Sequence, residues 1–519
     1  MFQRSLVATM TSPGEKGPTD VETGVQITDG QQDVMESRLP DQEVTTWDGP
    51  DDPENPYNWA LSRKISVALV CSTSQLVTTM SASMIAPAMD QILKDLHMST
   101  SAGQIAFGVF FLGLGFTPFL VAPLAEMYGR KPIWLIGNLW YIIWNSLCPV
   151  GFSAALMIIG RFMCAAGACV GVTLTGPVLA DMFPAKDRGK SLALAGLLPY
   201  LGPALGPIIG GLAAERLWWP WLFWILSAFD ALALVLGFFI IRESYAPVLL
   251  RRKAEAIAEQ TTADGVPKKS VAARFSIFYQ DLSARIGPAM RRPIRLLTHR
   301  PIIQLIALAM AVDFGVYTLV LSTFASLWID QYHQNETDAS LHYIAIALGA
   351  FACAQAGGRL MDFMWHRMKS ARPDREPTPE WRVPYVIIGL IPCVAGTFWY
   401  AWSAEERVHW AVVDVGVFFF TAGNFMFSQG LLAYNVDEFT STRAASASAA
   451  TRLGTYVLGF VFPIFAPELY KNLGYGWGNS LLGFLYGVMG IGIIAVLWIW
   501  GEKIRAIGRT AEEEKEKII

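Results

Sequence analysis

Twelve stretches of about 20 mostly apolar residues recur along the chain, near 65–88, 103–124, 132–151, 155–180, 191–212, 220–241, 302–328, 341–364, 384–402, 410–433, 445–467 and 477–500. Wound at ~1.5 Å per residue, a run of that length matches the ~30 Å hydrocarbon core of a bilayer. No water is available there, so each backbone N–H and C=O must be satisfied inside its own segment, which makes these runs helices. The residue-by-residue alternation of a membrane β-barrel strand is missing. Composition agrees: 53% of the 519 residues are apolar and 16% charged, against about 25% charged in soluble domains. A net charge of −3 lacks the basic footprint of a nucleic-acid binder.

The longest internal polar stretch, Arg242 to Arg300, separates six runs from six and holds Arg251, Arg252, Lys253, Arg291, Arg292 and Arg295. Basic segments stay in the cytoplasm, so this stretch and, with six spans on each side, both termini are expected there. The loops at Arg130/Lys131, Lys186/Arg188/Lys190 and Arg367/Lys369/Arg372/Arg375 fall on the same side, whereas the opposite loops carry isolated bases such as Lys94, Arg216, Arg407 and Lys471. The expected organisation is a polar N-terminal tail over 1–60, a six-helix half over 61–241, a cytoplasmic loop over 242–300, a second six-helix half over 301–500 and a tail over 501–519. The first 46 residues have no apolar core of a signal peptide. The one Asn-x-Ser/Thr sequon, at Asn335, falls in an outward loop and is a glycosylation candidate. Six cysteines lie within apolar runs, without metal-ligand spacing, and read as packing residues.

Four local patterns carry more than hydropathy does. After the second run comes A-P-L-A-E-M-Y-G-R-K-P, with Glu126, Gly129, Arg130 and Lys131; Glu126 and Arg130, four apart, are expected to pair at a helix end. Residues 358–367 repeat its spacing of small residue, leucine, acid and base, as a duplicated six-plus-six build would. The fourth run opens near Arg161, in R-F-M-C-A-A-G; an arginine inside a membrane helix costs at least ~2.5 kcal/mol at mid-bilayer and marks a functional site by default, although this one is near enough to the outer end to snorkel. The fifth holds Gly202, Pro203, Gly206, Pro207, Gly210 and Gly211, a small-xxx-small face for close helix packing with a proline able to bend it.

These patterns resemble those of the major facilitator superfamily: G-x-L-x-D-x-x-G-R-K/R after span 2 (Ala122 replaces the first glycine), R-F-x-x-G/A-x-x-G in span 4, and G-P-x-x-G-G in span 5, which is associated with antiporters. W-D-G-P-D-D-P-E-N-P-Y-N-W (47–59), R-E-S-Y-A-P-V-L-L-R-R-K-A (242–254), W-S-A-E-E-R-V-H-W (402–410) and the stretch 462–483 narrow the resemblance to fungal drug:proton antiporters. The loop after span 10 departs from them, with Y-N-V-D-E-F where relatives show Y-x-x-D-A/S-Y. The resemblance implies an all-α membrane protein of the major facilitator fold, with twelve transmembrane helices in two six-helix halves. It also implies a role for Arg161 in proton transfer at a nearby carboxylate.

Antiport requires a group that trades protons, and acids within the spans are its natural candidates: Asp230, Asp313 and Asp437, with Arg452 as a cationic partner. Gln75, Thr79, Asn138, Tyr317, Gln355, Asn424 and Gln429 are candidate cavity-lining residues. The expected function is proton-coupled export of an amphipathic or hydrophobic small molecule (drug, toxin or secondary metabolite) by alternating access. The alternative is an importer or vacuolar transporter of polyamines, organic acids or vitamins on the same fold. No enzyme is expected, since no nucleophile elbow or His/acid cluster appears. With no phosphate-cradling loop and no metal or cofactor implied, an ion gradient is expected as the energy source, and the resemblance implies that the ion is the proton. The expected partners are a small-molecule substrate, protons and the lipid bilayer, for a monomer in the plasma or the vacuolar membrane.

Overall fold

The computed structural model describes residues 46–184, 191, 195–196, 198–261, 284, 286–287, 290–372, 374, 377–439, 441–507 and 509. The basic residues Lys186, Arg188, Lys190 and Arg375 lie outside the described residues, as do residues 1–45 of the N-terminal tail. Each of the twelve apolar runs falls mainly on helix where it is described. In chain order the rods are α1 (Leu61–Ser83), α2 (Thr100–Phe116, continued by Pro118–Tyr128), α3 (Arg130–Leu147), α4 (Ala154–Met182), α5 (Gly202–Arg216), α6 (Pro220–Ile240), α7 (Pro301–Ser326), α8 (Tyr343–Ala352, through a π turn to Gly358–Ala371), α9 (Val383–Glu405), α10 (Trp410–Glu438), and α11 and α12 within Ser441–Ala506. No strand occurs among the described residues.

That last helix has 66 residues, about 100 Å at ~1.5 Å per residue and far more than one bilayer. It breaks at Gly474, whose φ of 71° needs a residue without Cβ, so α11 is 441–473 and α12 is 475–506. Helix pairing follows: Gly454 and Gly459 of α11 meet Ala311 and Phe314 of α7, while Gly483 and Gly490 of α12 meet Phe398 and Leu390 of α9 in reverse order. Eight described helices are long and apolar enough to cross a membrane by themselves, and α2 joins them when taken with the short helix Met89–Asp95, from which it bends by 119°. Twelve is reached because α11 and α12 are continuous, α3 opens on Arg130–Lys131 and α5 has only 15 helical residues.

The residues just before α1 differ from the expected tail. From Trp47 the chain is built in: Asn55 caps a 3-10 turn at Pro56–Asn58, Tyr57 Oη donates to Ala180 O, and Lys253 pairs with Asp48 at 2.7 Å and Asp52 at 3.5 Å. The backbone N–H groups of Asp48 and Glu54, and then the Lys253 ammonium, hold the Asp52 carboxyl below its ordinary value. Lys253 belongs to a helix, Ala246–Thr261, within the expected central loop. The six cysteines are buried and free.

Two seams join the halves: α2 lies against α11, and α5 lies against the short helix Glu336–Leu341 and α8. The glycine-rich face of α5 makes the second seam, and also its own half, close-packed. Cβ atoms at Gly206 and Gly210 would run into the backbone carbonyl oxygens of Met80 on α1 and of Met84, which caps it; one at Gly211 would meet Glu336 O and, at 2.5 Å, Ser340 Oγ across the halves. Pro203 serves the helix start and Pro207 is carried inside α5 without interrupting it.

Candidate functional site

At the α2/α11 seam a cavity of about 670 Å³ opens at the end of the bundle where Arg292 and Pro293 of the central segment sit. Its volume is within the ~300–1,000 Å³ of small-molecule sites. α2 gives an apolar wall through Leu114, Pro118, Phe119 and Ala122, ending at Glu126; α4 adds Cys169, Val172 and Thr173; α11 gives Ser446, Ala449, Arg452 and Tyr456. Ala122, where the motif has glycine, faces this cavity.

Beyond the cavity the rings of both halves close up. Tyr456 meets Phe314 edge-on at 5.7 Å, and Phe314 also meets Phe111 at 5.4 Å and Tyr317 at 6.0 Å. Tyr317 meets Phe425 at 5.6 Å, and Phe425 meets Tyr200 at 6.2 Å. Six rings, from α2, α7, α10, α11 and the approach to α5, thus form one contiguous layer, an arrangement favoured by ring quadrupoles. Farther from the cavity mouth is the Gly211 seam. There Gln91 Nε2 donates to Glu336 Oε1 at 3.2 Å and Thr337 N–H to Glu215 Oε2 at 3.1 Å. His342, which ends the short helix, stacks on Trp328 at 3.6 Å and bonds to Asp414 at 2.8 Å. Asn335 is exposed at the start of that helix, its Oδ1 accepting from Asp338 N–H.

One carboxyl lies behind the ring layer. Asp313, adjacent to Phe314 on α7, is 1% exposed. Asn424 Nδ2 donates to its Oδ1 at 2.7 Å and Tyr486 Oη to the same oxygen at 2.5 Å, while Ser428 Oγ donates to Oδ2. These partners, from α10 and α12, are all neutral. The structure therefore brings together two residues singled out separately in the sequence, Asp313 and Asn424, and adds Ser428 and Tyr486, which were missed.

In the other half Arg161 is wholly buried and does not snorkel. Its Nη1 donates to Ser81 O at 2.8 Å and Nε to Ala106 O at 3.4 Å; its guanidinium covers the Phe110 ring at 4.5 Å, and Nη2 has no hydrogen-bond partner among the described residues. The fork ties α4 to α1 and α2. Asp230 on α6 is also fully buried, and neither carboxyl oxygen has a hydrogen-bond partner among the described residues. We expect Arg161→Leu to lower transport at least about tenfold, because the two carbonyls lose charge-assisted bonds, and Arg161→Lys to restore part of it. Transport rates normalised to membrane-inserted protein test this; wild-type rates in Arg161→Leu would contradict it.

The charged rim departs from expectation. Arg130 does not pair with Glu126: its Nε bonds to Asp181 at the end of α4 at 3.2 Å, and its guanidinium lies over Tyr245 at 4.3 Å. Gly129, at φ 103°, turns the chain so that the backbone N–H groups of Arg130 and Lys131 reach the Glu243 carboxylate. A Glu126 four residues earlier is thus left facing the cavity. Asp437 is likewise no buried acid: its side chain is 33% exposed and bonds to Arg382 at 2.7 Å. The two pairs, α3 start to α4 end and α9 start to α10 end, occupy equivalent places in the halves. Nothing in the sequence reading anticipated the nearby cluster in which Glu438 holds Arg300, Arg505 and Arg509 and Glu380 holds Arg505.

None of the seven residues chosen as cavity-lining touches the 670 Å³ cavity. Tyr317 belongs to the ring layer and Asn424 to Asp313. Gln429 lies beside the Tyr200 hydroxyl. Asn138 accepts from Ser74 Oγ and donates to Trp134 O, tying α3 to α1. Thr79 packs against Gly202 and donates to Pro199 O. Gln75 is half-buried on α1 and Gln355 is exposed in the α8 π turn.

This architecture recurs in known proteins. Residues 71–463 match the family model described as Major Facilitator Superfamily. The chain is 34% identical to the efflux pump vrtL of Penicillium aethiopicum, over 96% of this chain and 97% of that one. It is 35% identical to the probable efflux pump mfs2 of Aspergillus flavus, over 81% and 98%. The crystal structure of a D-xylose-proton symporter superposes with a TM-score of 0.61 at 18% identity, covering 86% of this chain and 99% of that one. With twelve rods, two glycine- and aromatic-lined seams and a cavity between its halves, this multi-pass membrane protein belongs to the Major Facilitator Superfamily and is a transporter of that fold.

Proposed function

We propose that the protein exports amphipathic small molecules in exchange for protons, with Asp313 carrying the proton. The observation that carries the reading is the pairing of a cavity open at the central-segment end with a close-packed seam away from that mouth and, beside the ring layer, a buried carboxyl held among the described residues by neutral donors alone. A group of that kind can gain or lose a proton without breaking an ion pair. Phe314 touches the cavity wall through Tyr456 and adjoins Asp313 in the chain, so cargo that displaces the rings also moves the acid's helix. Opening outward then requires the Glu336–Leu341 helix to leave Gly211. The names of the fungal relatives, efflux pumps, support this direction of transport. The plasma membrane fits the export reading, and the vacuolar membrane would serve sequestration by the same exchange.

Export is testable in a host stripped of its own pumps, loaded with a library of amphipathic aromatic compounds and assayed for cell content by mass spectrometry. For one-proton exchange, each pH unit of gradient supports up to about a tenfold concentration ratio. A true cargo is expected to fall toward that limit on expression and to recover with a protonophore. Content that never falls, or that stays low after the protonophore, would contradict the proposal.

A further inference from the structure

Resting on the export reading, we propose that the preferred cargo is a planar aromatic acid, held by its anionic group on Arg452 and by its ring against Tyr456. The two side chains are four residues apart on α11, hence on one face of the helix, and both line the cavity. Arg452 is exposed into that space and has no hydrogen bond or ion pair among the described residues. A guanidinium kept in a membrane span normally has a partner or a wet cavity; here the cavity supplies water when empty and the cargo supplies the partner when full. The apolar wall of Leu114, Pro118 and Phe119 stands opposite, with Tyr456 continuing into the ring layer through Phe314.

Charge placement gives the cargo an orientation. Among the described residues, Arg292 at the mouth and Arg452 in the wall outnumber the one carboxylate in the lining, Glu126, which ends the α2 wall. An acid entering from the cytoplasm is drawn past Arg292, is repelled by Glu126 toward α11 and is bound as a charge-assisted fork on Arg452. The same field disfavours an aromatic cation.

A matched dye pair tests this without transport. 8-Anilinonaphthalene-1-sulfonate and N-phenyl-1-naphthylamine share an aromatic body and differ in the sulfonate. Binding is read as tryptophan-to-dye energy transfer on the full chain in nanodiscs, against empty discs. The wild type is expected to bind the sulfonate at least about tenfold more tightly than the neutral dye, and Arg452→Gln to lose that preference while binding the neutral dye as before. Arg452→Lys, which keeps the charge, should retain part of it, and unchanged neutral-dye binding reports an intact cavity. Equal wild-type affinities, no binding of either dye, or an Arg452→Gln protein that keeps the preference would overturn the proposal. Because no gradient is used, a chain that shows the preference yet moves nothing contradicts export alone, and a chain that exports neutral compounds without the preference contradicts the cargo class alone.

Discussion

Asp313→Asn is expected to abolish gradient-driven export, by about a hundredfold or more, while leaving gradient-free exchange of cargo across the same membrane close to wild type. The asparagine has the same shape, so the ring layer and Phe314 should stay in place. What changes is chemistry. Amide nitrogen cannot carry the proton, and its N–H groups would face the Asn424, Ser428 or Tyr486 donors that now converge on the carboxyl. One mismatched buried donor costs about 1–3 kcal/mol, enough to slow folding or lower yield but not to remove a protein from the membrane. The split between driven transport and exchange separates coupling from structure. Should both fall together in protein that is otherwise folded, Asp313 is a scaffold residue and another group carries the proton.

Gly211→Leu is expected to hold the outer seam apart. A Cβ there already meets Glu336 O and Ser340 Oγ, and overpacking of this kind costs about 1–3 kcal/mol, a shift of roughly 5- to 150-fold in the balance between closed and open forms. Ser340 is fully buried in the seam, so a Ser340→Cys probe should be silent toward an impermeant maleimide when residue 211 is the native glycine. In the Gly211→Leu background the same probe should label at least about tenfold faster. The six native cysteines are buried and give little background. Gly210→Leu makes the contrast: its obstacle is Met84 O within the same half, so it should impair assembly of that half rather than expose the probe. Equal, slow labelling with and without Gly211→Leu would show that this seam is not the outer gate.

What could be read from the sequence follows from what a bilayer enforces. Twenty apolar residues must be helix in hydrocarbon, so the twelve runs were legible, as were the turn at Gly129 and the small face of α5. Breaks were not: two prolines look alike locally, yet Pro118 interrupts α2 at Thr117 while Pro207 leaves α5 whole, because neighbours decide which carbonyl can be released. Partners were least legible. Arg130 has an acid four residues before it but bonds to Asp181, 51 positions on, since Gly129 turns its side chain away from α2. The R-E-S-Y segment held a clue to Glu243 in the form of an acid fixed among bases, yet not to its target. Asn138 and Asn424 look alike in a hydropathy plot. One ties two helices and the other holds the central carboxyl, a difference made by which helix lies opposite. Arg452, first noted as a partner for buried acids, instead faces open space.

Exchange of cargo against protons through one carboxyl is tested most directly in proteoliposomes with pyranine sealed inside and no imposed gradient. A cargo identified by the accumulation screen is added outside. In the wild type, cargo entering down its own gradient is expected to drive protons out and alkalinise the lumen, at about one proton per cargo. Asp313→Asn is expected to pass cargo only by exchange, with a flat pyranine trace. Cargo entry without a pH change in the wild type, or the same change in both proteins, would contradict the account.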